Sequence, residues 1–306
     1  MIAIQQSVEK KRREKGRMSA TMLGIVLLSL TACQPGPDNV ETRRIAVTIL
    51  PQKDIVQRIA GKGFHVDVLV PPGFNPATYA PAPKQVRRMG SSLVWFRIGR
   101  LPVELAWMDR IRSVNPHLNV VDTAEGVDWL APNGRDTHEV AGVDPHIWLS
   151  PRLMRIQAQH VRNALVRLDA GQSETYQRNY RQLATEIAAT DKQIREILAD
   201  LSCRDFLAFH PSWAYFAREY GLNQIAIEVD GKSPAPGDLS RVIAMARTKG
   251  LHTVFVQPQF DTAAAEVVAQ AIDGRVVVLD PLAADWAENL ISTARKLRAA
   301  QEVSLR

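Results

Sequence analysis

The sequence predicts an α/β protein of two lobes, each a parallel-type sheet flanked by helices, joined by one long backbone helix. Three observations carry that prediction. From Arg44 onward, short β-like runs alternate with amphipathic helical ones. From about Pro151 to Leu201 there is no strand signal, only helical periodicity with a break at DAGQ, Asp169 to Gln172. After Leu201 the β/α alternation resumes.

In order, RIAVTIL reads as a strand and PQKDIVQRIAGKG as a helix opened by Pro51 and stopped near Gly61. HVDVLV is the next strand. It runs into PPGFNPATYAPAP, a proline-rich loop that neither a helix nor a central strand accommodates. SSLVWFRIG and NVVDT continue the strands, with helical ELAWMDRIRS between them. In the middle, Tyr176, Tyr180, Leu183, Ile187, Ile194 and Ile197 trace one apolar stripe, with Ser173 as the candidate cap. A helix of roughly 28 residues at about 1.5 Å per residue makes a strut of about 42 Å. The second lobe reads as strand DFLAFH, a helix ending at Gly221, strand QIAIEVD, a capped helix stopped by Gly250, strand HTVFVQPQF, helix TAAAEVVAQAIDG and strand RVVVLDPLA.

The expected organisation is a leader over 1–32, a tether over 33–43, an N-terminal lobe over 44–172, a linking helix over 173–200 and a C-terminal lobe over 201–306. Basic KKRREKGR followed by apolar MLGIVLLSL has the order of a signal peptide and is short for a membrane span. It ends in LTAC, which resembles a bacterial lipobox and marks Cys33 for lipidation. The mature protein is then expected outside the cytoplasm, anchored to a bacterial membrane. The formal charge of +6 is concentrated in that leader: six basic residues against Glu9 and Glu14 leave +2 for the rest, which argues against a nucleic-acid partner. Apart from Cys33 the chain has only Cys203, so no disulfide framework exists and the core must hold the fold.

In open parallel sheets, functional groups gather in loops beyond the carboxyl ends of strands. His210 follows FLAF, Asp280 follows RVVVL and His146 follows Asp144-Pro145, each with a proline beside it to stiffen the loop. Two imidazoles and a carboxylate suit zinc, manganese or iron(II). His65 and His252 start strands and His160 lies on a helix, so these three read as structural.

Taken in order, PPGFNPATYAP, DPHIWLSP, AFHPSWAYFAREYGL and the run from GKSPAPGDLSRVIAMARTKGLHTVFVQPQF to VVVLDPLA resemble the substrate-binding lipoproteins of bacterial ABC importers for zinc and manganese. The resemblance spans about Arg44 to Leu290. It implies Zn²⁺ (or Mn²⁺) as cargo in a cleft between the lobes, with His146, His210 and Asp280 as ligands. It also implies a monomer that delivers to an ABC permease. Two positions depart from the pattern. Ala77 stands where the family has a ligand histidine, and Gln257 where it has a glutamate. Three arrangements follow: a three-ligand site with one open position, completion by His138 from the loop LAPNGRDTHEV, or a site that takes a metal chelate or small organic molecule. A binding protein and not an enzyme is expected. A zinc hydrolase would need Glu228 or Asp230 as base, and no HExxH motif is present.

Overall fold

Proline sets the first turn of five helices that flank the sheets. Each has proline at the first or second helical position, where its missing N–H removes no helical hydrogen bond. In four of them an acceptor three residues after the cap reaches back to the cap N–H: Gln52 to Ile49, Gln85 to Ala82, Glu104 to Leu101 and Asp238 to Ala235. In the fifth, Ser150 Oγ accepts from Leu153 N.

The computed structural model describes residues 43–132, 142–228 and 234–304. The expected leader, Cys33, the tether up to residue 42, His138 and Asp230 lie outside them. The first sheet contains β1 (Arg44–Val47), β2 (His65–Val68), β3 (Val94–Arg97) and β4 (Asn119–Asp122), all parallel, in the order β2-β1-β3-β4. It is accompanied by α1 (Leu50–Ala60), α2 (Pro83–Gly90) and α3 (Pro102–Val114). Then come α4 (Pro151–Leu168) and the long α5 (Ser173–Ile197). The second sheet repeats the pattern with β5 (Asp205–Ala208), β6 (Asn223–Ala226), β7 (Thr253–Val256) and β8 (Arg275–Val278), parallel, in the order β6-β5-β7-β8. Its helices are α6 (Ala214–Tyr220), α7 (Pro236–Thr248), α8 (Ala263–Ala271) and α9 (Trp286–Ser304). In each sheet the chain adds strands on one side and then on the other, which opens a crevice at the carboxyl ends of the two inner strands. Those inner strands are almost wholly buried, as β/α layering requires.

The strut is α5, with 25 residues and therefore about 38 Å long. Tyr176, Leu183, Ile187 and Ile194 are buried along one face, with Tyr180 and Ile197 packed at its edge. That face lies on α1 and α4 on one side and α9 on the other. Ser173 is the first helical residue and not the cap. Gln172 holds the cap position, and Ser173 Oγ accepts from Gln177 Nε2 at 3.0 Å. Two helices extend the series read from sequence. In α2 only Val86, Met89 and Gly90 are buried, too little periodicity to show in eight residues. In α9, Trp286, Leu290, Ile291, Ala294 and Leu297 recur at helical spacing.

One buried carboxylate ties β1, β3 and α3 together. Glu104 is fully buried, and its Oε1 accepts from Thr48 Oγ1 at 2.6 Å and Ile98 N at 2.8 Å. Its Oε2 accepts from Gly99 N at 2.6 Å and Leu101 N at 3.2 Å. Glutamine at this position meets four donors with a single acceptor oxygen and turns an NH₂ toward two of them. Glu104→Gln is therefore expected to destabilise folding by roughly 2–4 kcal/mol, read from urea unfolding. A change within measurement error refutes the anchoring role.

Candidate metal centre

His146 sits in a turn that its own sequence builds. Asp144 Oδ1 accepts from His146 N at 2.8 Å and faces His146 Nδ1 at 2.6 Å. Pro145 between them limits the backbone, and a 3₁₀ turn at Ile147–Leu149 follows. Asp144 is buried, so its carboxylate is shielded and the imidazole is held firmly.

His210 is oriented by a carboxylate eighteen residues away in sequence. Ala208 of β5 is in register with Ala226 of β6. The parallel pattern continues two residues further, with Glu228 N donating to Phe209 O at 2.9 Å. His210 and Glu228 therefore lie side by side, and Nδ1 meets Oε2 at 2.7 Å. Phe260 stacks on the imidazole with ring centroids 4.6 Å apart. Gln257, buried to 1% exposure, braces the same loop from behind. Its Nε2 donates to His210 O at 2.7 Å and Ser212 Oγ at 3.0 Å, while its Oε1 accepts from His210 N at 3.3 Å. Gln257 is thus a loop brace in this fold, using both ends of its amide.

The two imidazoles converge. Their centroids are 5.4 Å apart, with planes inclined by 74°. An ionised carboxylate only accepts hydrogen bonds, so Asp144 and Glu228 each fix the proton on Nδ1 and leave Nε2 with its lone pair. Two imidazoles on one tetrahedral zinc, at Zn–N of about 2.0–2.1 Å, have centroids roughly 5 Å apart. The centroid distance of 5.4 Å is close to that value.

Both rings line a cavity of about 200 Å³ that the first lobe borders with Asn75, Pro76, Ala77, Leu101 and Pro102. Asp280 lies one step away. Its Oδ1 accepts from Gln259 Nε2 at 2.9 Å and Leu282 N at 2.9 Å, and it lines an adjoining cavity of about 340 Å³. Gln259 borders both spaces. Among the described residues, no three His, Cys, Asp or Glu side chains are grouped closely enough to hold a metal. The structure therefore brings His146 and His210 together and keeps Asp280 apart, tied to Gln259. Sequence reasoning did not mark Asp144, Glu228 as a partner of His210, or Gln259.

Residues 45–300 match the model of the family described as ZnuA, the periplasmic component A of a zinc-uptake complex. The chain belongs to that family. A protein of Chlamydia trachomatis serovar D is 31% identical to it over 276 residues, covering 89% of this chain and 97% of that one. A ZnuA crystal structure is 37% identical with a TM-score of 0.80, covering 85% of this chain and 99% of the other. A ZnuA deletion mutant with zinc bound gives the same identity and TM-score, over 85% and 98%. The periplasmic zinc-uptake family accordingly has here its two α/β lobes and its long connecting helix.

The segment bearing His146 is fastened to the second lobe. Trp148 Nε1 donates to Pro281 O at 2.7 Å, and Trp286 Nε1 donates to Trp148 O at 2.6 Å. Tyr215 Oη donates to Asp144 O at 3.0 Å, and burial, with Asp144 nearby, pushes its phenol well above the ordinary range so that it remains a donor. Asp144→Asn and Glu228→Gln each replace the acceptor that fixes an imidazole tautomer. Each is expected to weaken zinc binding by about 10–100-fold while leaving thermal unfolding close to wild type. Unchanged affinity in both variants means that these carboxylates do not prepare the rings for a metal.

Proposed function

We propose that this chain captures a divalent metal outside the cytoplasm, zinc first and manganese as the alternative, and delivers it to an ABC permease. The observation that carries the reading is the His146–His210 pair, with both Nδ1 atoms committed to buried carboxylates and both Nε2 atoms free to bind one ion. Asp280 is the carboxylate we assign as third donor, reached when its bond to Gln259 is exchanged for the metal. His138 is the further candidate from the loop before Asp144.

The family supports the place and the partner, since it is described as the periplasmic component of an uptake complex. No helix among the described residues is long and apolar enough to cross a membrane. We assign Cys33, after the apolar leader, as the lipidated residue that keeps a monomeric receptor near its permease. The site is read as one of binding and release and not of catalysis. Glu228, the described candidate for a base, is already held by His210.

Zinc titration of the chelator-stripped protein against a competing indicator dye tests the reading. One equivalent is expected to bind, with affinity falling more than about 100-fold in His146→Ala and in His210→Ala, and less in Asp280→Asn. Full-strength zinc binding by both histidine variants refutes the site.

A further inference from the structure

The end of the first sheet where its strands begin, away from the histidine cavity, is basic and carries exposed apolar side chains. It is gathered around Asp67. Arg44 donates to both oxygens of that carboxylate, at 2.8 and 2.7 Å, and Arg88 from the last turn of α2 lies 3.7 Å from it. Leu93 is fastened beside them, its N donating to Arg44 O at 2.9 Å. The last turns of α2 and α3 meet here. Asn115 Nδ2 donates to Gly90 O at 2.9 Å, and a Cβ added at Gly90 would stand 2.6 Å from Val114 Cγ1. Arg43 closes the group, paired with Asp169 at 2.6 Å and lying over the Phe64 ring.

Three further cations stand at this end: Lys62 before β2, Arg87 in the last turn of α2 and Arg112 in that of α3. All three are exposed and have no hydrogen-bond or ion-pair partner among the described residues, nor does the exposed Asp109 pair with them. A cation in a last helical turn also complements the helix dipole, and the second lobe shows the form this takes when it is structural. At its corresponding end Arg204 donates to Ala199 O and Tyr220 O, Arg247 to Ala271 O and Lys249 to Asp205. Arg275 there is exposed without such a bond, but the large apolar side chains exposed in that lobe, Val267 and Val278, lie within α8 and at the far end of β8. In the first lobe, cations and apolar groups coincide, with Leu93 41% and Val114 45% exposed. That combination suits an anionic lipid surface, where headgroups attract the cations and the layer beneath accepts the apolar groups.

The chain itself brings this end to a membrane. Arg43 stands ten residues after Cys33. An extended chain spans at most about 3.5 Å per residue, so the lipid assigned to Cys33 holds Arg43 within about 35 Å of the bilayer. We propose that this end of the first lobe docks on an anionic phospholipid surface, with Lys62, Arg87 and Arg112 at the headgroups and Leu93 and Val114 at the contact. The histidine cavity lies at the other ends of the strands, so the docked protein opens it to the aqueous side. The inference goes beyond the metal reading and does not depend on it.

Vesicle co-sedimentation tests it, using the chain from residue 33 onward with Cys33→Ser so that no lipid adds to the binding. That span contains both sheets and the tether with its carboxylates Asp38 and Glu41, and it omits the basic, apolar leader. At low salt the chain is expected to sediment with vesicles of phosphatidylcholine mixed with phosphatidylglycerol and not with phosphatidylcholine alone. The bound fraction is expected to fall as salt rises. Each basic side chain near an anionic surface contributes about 1 kcal/mol, a factor of roughly five. Lys62→Gln/Arg87→Gln/Arg112→Gln is therefore expected to lower the partition coefficient about 100-fold. The charge-matched control Lys53→Gln/Arg155→Gln/Lys192→Gln, at residues exposed elsewhere, is expected to keep it within about threefold. Equal loss in the two triple variants means attraction by net charge and overturns the assignment of this face. Binding retained by the first triple variant overturns it as well. Equal sedimentation with both vesicle types overturns headgroup recognition, and sedimentation with neither overturns membrane docking.

Discussion

The imidazole–carboxylate pairs decide what the rest of the cleft can do. A histidine whose Nδ1 faces water is free to turn and to choose its tautomer. With Asp144 Oδ1 at 2.6 Å and Glu228 Oε2 at 2.7 Å, neither His146 nor His210 has that freedom. Both carboxylates are buried, and a shielded acceptor restrains its partner more strongly than an exposed one. The imidazoles are thus oriented by the fold itself, and their ordering entropy is lost during folding.

The fold makes this possible through the repeated topology of its sheets. His210, Glu228, Gln259 and Asp280 all follow carboxyl ends of second-sheet strands, where loops converge at the crevice beside β5 and β7. His146 comes from the chain before α4, but Trp148, Trp286 and Tyr215 bind its segment to the second lobe. Both imidazoles are therefore anchored to second-sheet elements. The first lobe brings Asn75 and an otherwise apolar wall, with Leu101 and Pro102 held at the start of α3 by the buried Glu104.

The glutamines in the loop after β7 have different tasks. Gln257 offers a donor and an acceptor to the His210 loop and satisfies both. A carboxylate there would accept from His210 N but could not donate to His210 O. Gln259 spends its donor on Asp280 and keeps a buried acceptor without a partner.

Much of the architecture was legible in the sequence because it depends on periodicity and punctuation, which are local. Alternation of β and α runs, prolines at helix starts and the stripe Tyr176–Leu183–Ile187–Ile194 determined two α/β lobes and a strut. The Asp144-Pro145-His146 turn was also local, since its carboxylate stands two residues from the imidazole it holds. Three matters were decided only by tertiary structure. Glu228 meets His210 because β5 and β6 pair in a particular register, and register is set by packing between strands that the sequence separates. Gln257 faces the back of a loop and not the cavity because the end of β7 lies directly beneath His210. Asp280 stands apart from the histidine pair because Gln259 holds its carboxylate, a contact that exists only once β7 and β8 are aligned, beside a local bond from Leu282 N. The sequence by itself determined which donors this protein has; long-range pairing determined which of them face one another.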